Sequence, residues 1–207
     1  ALQGLRRIID PEECTAADMG QDALRRGWLI WPPFLETLMT TSPHAPDTPD
    51  LPLQWSDALA LDMPVMDATH QEFVELLAEV VQAPDDQLLP RWAALIAHTQ
   101  DHFDREDQWM RDTGFAPQNC HATQHKIILQ VMREGEARGH GGDLAVVRQM
   151  ARELGTWFPQ HAQTMDASLA LHLRSAGYDP ATGQLSQPER LPVQAIHGCG
   201  GGSCTPH

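Results

Sequence analysis

Seven side chains able to bind metal recur at helical spacing along four successive stretches, and no other feature limits the possible folds so strongly. His70 stands near the start of the first stretch. His102 and Glu106 are four apart on the second, His121 and His125 four apart on the third, and His161 and Asp166 five apart on the fourth. Residues four apart on a helix share a face, and five apart remain within reach of one site. Apolar residues keep the same period, with Phe73, Leu76, Leu77 and Val80 on the first stretch and Leu88, Trp92, Leu95 and Ile96 on the second. Ile127, Ile128, Val131 and Met132 follow on the third. Imidazoles and carboxylates aimed into an apolar interior are costly unless they are paired or metal-bound.

The breaks between these stretches define the elements. The pattern predicts a helix over 68–83, ended at Pro84, with Asp85 and Asp86 available to cap the next. A second helix covers 87–112 and ends near Gly114. Pro117 opens a third that runs to about Arg138, and Asp143 caps a fourth through about Ser175, ending at Gly177. No period-2 strand pattern occurs. The expected fold is all-α, an antiparallel up-and-down four-helix bundle over residues 53–177, because helices of this length joined by short loops pack that way. Residues 1–52 read as an N-terminal extension and Pro-rich linker. Met39 as the natural start, with 1–38 an upstream extension, and a docking segment are both consistent with them. Residues 178–207 read as a flexible tail holding Cys199, Cys204, His197 and His207. Metal capture, a redox pair and no specific role are all open for that cluster.

Charge and composition narrow the function. Twenty-eight acidic residues against 14 basic ones give a net charge of −14, which repels nucleic acid and anionic membrane. No stretch approaches the roughly 20 apolar residues of a membrane helix. The four cysteines do not form a spaced disulfide framework, so a cytoplasmic setting is the default expectation. Eleven histidines are the abnormal count. Five of them with two carboxylates in a bundle core suit a pair of metal ions, the carboxylates bridging, and this donor set suits iron or manganese. A carboxylate-rich ferritin-like site would need more Glu and a Glu-x-x-His pair on two helices, which the chain lacks.

Together Trp55-Ser56-Asp57, Asp67-Ala68-Thr69-His70, HFDREDQWM (102–110), GFAPQNCHATQH (114–125) and WFPQHAQTMD (157–166) resemble the hemerythrin family, especially its bacterial members. The resemblance implies a cofactor of two non-heme irons. His121, His125 and His161 would hold one, His70 and His102 the other, and Glu106, Asp166 and a solvent-derived oxygen would bridge them. It also implies reversible dioxygen binding at the position left open on the two-histidine iron, for storage, delivery or sensing. A di-iron oxidase or peroxidase, or a protein that reacts with nitric oxide, would use the same site, and no protein partner is indicated.

Several residues depart from the family pattern. Phe158 stands where an aliphatic residue usually lines the oxygen pocket beside Trp157. Pro159 should disturb the helix just before His161. Thr69 replaces a Gln, Asp107 replaces the second acid of a Glu-Glu pair, and a glycine is replaced within Leu61-Asp62-Met63. His98, His140 and His172 read as surface residues, Asp67 as a helix cap, and Cys120 as structural.

Overall fold

A computed structural model describes residues 53–115 and 120–193. The N-terminal extension, the expected helix opening at Pro117 and the Cys199/Cys204 cluster lie outside these residues. Four helices form the bundle: α1 (Pro64–Gln82), α2 (Asp85–Thr113), α3 (Cys120–His140) and α4 (Leu144–His161). After α4 the rod continues without a break through a π turn (Ala162–Asp166) into α5 (Ala167–Ala176). Each helix packs on its chain neighbours and α1 closes on α4, so the architecture is the expected all-α bundle. Among the described residues, no helix is long and apolar enough to cross a membrane.

Local chemistry explains the boundaries. Pro64 occupies the first turn of α1, where its missing N–H costs nothing, so the helix starts earlier than periodicity predicts. Asp67 does not take the capping position expected of it: Met63 does, and Asp67 lies inside the first turn, where its carboxylate reaches back to accept from the backbone N–H groups of Leu61 at 2.7 Å and Met63 at 3.0 Å. Asp85 and Asp86 do not cap. Pro84 takes the capping position and both acids lie inside the first turn, where they complement the positive end of the helix dipole. Asp85 also pairs with Arg148 of α4 at 2.6 Å. Asp143 caps α4 as expected, accepting from Val146 N–H at 3.3 Å. Gly114 and Gly177 end α2 and α5 in left-handed conformation, with φ of 66° and 63°.

Two apolar clusters fill the interior, and the seven polar residues separate them. One gathers Phe73, Leu77, Leu88, Trp92, Leu95, Met132 and Met150. The other gathers Met66, Trp109, Met110, Phe115, Leu169 and Leu173. The Trp92 indole N–H, deep in the first, donates to the Met132 carbonyl at 3.0 Å, so its one polar atom is satisfied. The chain does not leave the bundle at Tyr178. That side chain is buried and donates to Asp112 at 3.0 Å, and Tyr178–Asp179 pairs antiparallel with Gln184–Leu185. A pair of two-residue strands is too short to leave an alternating pattern in the sequence.

Asp62, in the segment where the family pattern expects glycine, has φ 55°, the left-handed region that glycine occupies without strain. Asp62→Gly should therefore leave stability unchanged or raise it by up to about 1 kcal/mol. The β-branched Asp62→Val should lower it by about 1–2 kcal/mol. Chemical denaturation of the metal-free protein measures both.

Candidate metal centre

Each helix delivers its donors on the face that looks into the bundle. His70 comes from α1, His102 and Glu106 from successive turns of α2, His121 and His125 from the first two turns of α3, and His161 from the end of α4. Asp166 closes the π turn. In a regular α-helix residues five apart lie roughly 140° round the axis. The π turn bonds Ala167 N–H to the Ala162 carbonyl, five residues back, and the wider turn carries Asp166 to the side where His161 points. Pro159 stands just before it, inside α4, and the helix runs on past the proline. All seven residues are buried.

The carboxylates divide between two sets of imidazoles. Glu106 turns Oε1 toward His102 Nε2 at 3.2 Å and Oε2 toward His121 and His125 Nε2 at 3.4 and 3.3 Å. Asp166 turns Oδ2 toward His70 Nε2 at 3.2 Å and Oδ1 toward His121 and His161 Nε2 at 2.9 and 3.2 Å. Two groups result: His121, His125 and His161 with both carboxylates, and His70 and His102 with the same two carboxylates. Within each group the donor atoms lie within 4.8 Å of one another, and each group could hold a metal ion.

The donor chemistry fits metal. The five Nε2 atoms and all four carboxylate oxygens are buried and have no hydrogen-bond partner. They approach one another closely, but their angles make ion-pair contacts and not hydrogen bonds. A buried polar atom left unpartnered costs about 1–3 kcal/mol, and a cation held among these nine atoms would satisfy them together. Without one, the two acids and five imidazoles must share protons. Burial opposes ionisation of Glu106 and Asp166, yet the surrounding histidines hold both well below the usual carboxylate range. Burial also disfavours the charged form of His121, but Asp166 and Glu106 overcome it and raise its pKa to about 9. Burial wins at His161, which falls to about 4.

The surroundings hold the rings in place. His125 Nδ1–H donates to Asp107 at 2.9 Å, and His161 Nδ1–H to Gln124 Oε1 at 3.2 Å. Gln124 Oε1 also accepts from the Trp157 indole N–H at 3.3 Å, and the Trp157 ring stacks on His161 at 4.5 Å. Phe103 lies flat against His125 at 3.9 Å. Phe158 presents its edge to His70 at 5.2 Å and stacks on Phe73 at 4.5 Å.

The seven donors singled out by spacing all converge, and Trp157 and Phe158 both touch the site. His140 is exposed, as expected. His98 and His172 are half-buried: His98 Nε2 bonds the Thr69 carbonyl at 3.1 Å, and His172 Nε2 bonds the Thr113 carbonyl at 3.1 Å. Cys120, beside His121, is engaged in a disulfide. Periodicity missed Gln124, Phe103 and Phe73 as neighbours of the site. Adjacency to a ligand was the available signal for the first two.

Comparison with known proteins bears on the whole arrangement. The hemerythrin HHE cation binding domain matches residues 62–171. A bacteriohemerythrin of Ralstonia nicotianae is 38% identical over 127 residues, which cover 61% of this chain and 93% of that relative. No solved structure matches the chain.

The shifts predict a stability profile for the chelated, metal-free protein. A histidine with a raised pKa stabilises the fold fully below its unfolded value near 6.5, and that contribution is lost as pH rises through about 9. A histidine depressed to about 4 destabilises as pH falls from 6.5 toward 4, because only the unfolded chain takes the proton. Melting temperature should therefore peak near pH 6.5 and fall on both sides. In the metal-loaded protein the alkaline fall should disappear, since bound ligands are already deprotonated.

Proposed function

Because the chain belongs to the hemerythrin family, we propose that it binds dioxygen reversibly at a pair of non-heme irons held by His70, His102, Glu106, His121, His125, His161 and Asp166. The observation that carries this reading is the division of each carboxylate between two imidazole sets. A single metal would leave one set without a cation. His121, His125 and His161 with both carboxylates would hold one iron through five protein residues. His70 and His102 with the same two carboxylates would hold the other through four, one protein donor fewer, which would leave that iron room for an exogenous ligand.

Two irons bound there would supply two electrons to dioxygen and recover them on its release. The protein's part is to hold the donors and keep water out. Phe158 and Phe73, each 1% exposed, form a dry wall beside His70. A dry apolar pocket disfavours the loss of charged products and slows proton entry, which favours release of the intact ligand over oxidation. Storage, delivery and sensing all draw on this one equilibrium.

The test is the visible spectrum of iron-loaded, anaerobically reduced protein before air, in air and after argon. A charge-transfer band that appears with oxygen and disappears under argon is the expected result. Irreversible oxidation on first contact with air, with peroxide formed or consumed, would support the enzymatic reading instead. His70→Ala and His121→Ala should each lower iron content and abolish the reversible band; full iron and unchanged spectra in both would contradict the ligand assignment. Phe158→Leu should speed oxygen release and autoxidation, at a stability cost of about 1–2 kcal/mol, measurable by stopped flow and denaturation.

A further inference from the structure

The five histidines are not held alike. His125 and His161 each donate Nδ1–H to an acceptor, while His70, His102 and His121 have no partner at Nδ1. Both supported rings belong to the three-histidine group. Their acceptors also differ in kind: Gln124 offers a neutral amide oxygen and Asp107 a carboxylate.

We infer that Asp107 is a positioning residue for His125, fixing its tautomer and setting both the affinity and the reduction potential of the metal held by the three-histidine group. This rests on the reading of the site as a metal centre. An acceptor at Nδ1 keeps the proton there and leaves the Nε2 lone pair aimed at the metal. A carboxylate does more than a neutral acceptor. It draws the Nδ1 proton toward itself and makes the imidazole a stronger donor, which stabilises the more oxidised metal and lowers its potential. Gln124 can fix the tautomer of His161 but lacks that charge.

The surroundings of Asp107 support the assignment. Its side chain is 21% exposed, on the wall of a groove of about 460 Å³ between α2 and α3 that is also lined by Gln100, Asp104, Lys126 and Arg133. His125 itself lines the groove from beneath. Within the described structure the carboxylate makes one bond, to His125. Phe103, stacked on the face of the ring, holds the imidazole plane, and within that plane Nδ1 meets Asp107 and Nε2 faces Glu106. Asp107 thus stands between a buried ligand and a groove that reaches it, without itself entering the site.

The experiment compares wild type, Asp107→Ala, Asp107→Asn and Asp107→Glu. It measures anaerobic iron affinity by chelator competition, the midpoint potential by redox titration, and the melting temperature of the metal-free protein. Asp107→Ala should weaken iron affinity about 10–100-fold and raise the potential. Asp107→Asn keeps an oxygen acceptor, so it should retain more affinity than the alanine variant while its potential rises. Asp107→Glu, which restores the charge, should bring the potential back toward wild type. The metal-free melting temperatures should agree across the series. Iron affinity and potential in Asp107→Ala equal to wild type would overturn the inference and leave the metal reading intact. Melting temperatures that fall in parallel with affinity would also overturn it, reducing Asp107 to a structural residue. Wild-type protein that takes up no iron would overturn both readings.

Discussion

Four carboxylate oxygens and five imidazole nitrogens meet in the dry centre of the bundle with no hydrogen-bond partners among them. Every other arrangement in the molecule can be understood as support for that meeting. An apolar core alone would gain stability from any packing of four amphipathic helices, in many registers. The polar layer removes that freedom. A slip of one turn along any helix would carry a histidine or an acid into one of the two apolar clusters and leave it unpaired there. The layer therefore sets the relative register of the helices, and the clusters on either side supply the burial energy.

The π turn is where this demand changes the backbone. Asp166 must serve both histidine sets, with Oδ2 on His70 and Oδ1 on His121 and His161. A regular helix would turn it away from His161. Opening the helix by one residue per turn between Ala162 and Asp166 brings it back. The sequence places Pro159 immediately before this turn, where a missing N–H has already weakened the regular ladder. The departure that looked disruptive in the sequence thus stands beside a distortion that the site requires.

Much of this was legible from residue order. The four-residue spacings His102/Glu106 and His121/His125 put each pair on one face, and the breaks at Pro84, Gly114, Asp143 and Gly177 marked where helices turn, so helix count, polarity and donor set followed. Less legible were features set by tertiary contact. The earlier start of α1 depends on Asp67 reaching back to two amides. The hairpin at Tyr178 depends on a bond to Asp112, 66 residues away. The support of His125 by Asp107 crosses between helices, and nothing in the period of α2 alone shows which way Asp107 faces. The five-residue step from His161 to Asp166 was read as reach, but its physical basis is a change of helix type that spacing does not reveal.

The proposed site requires Glu106 and Asp166 each to span two metal ions. Anomalous diffraction from crystals of the iron-loaded protein, collected on both sides of the iron edge, tests it directly. Two resolved iron peaks are expected, one against His121, His125 and His161 and one against His70 and His102, with both carboxylates between them. A single peak, or two peaks that do not share Glu106 and Asp166, would contradict it.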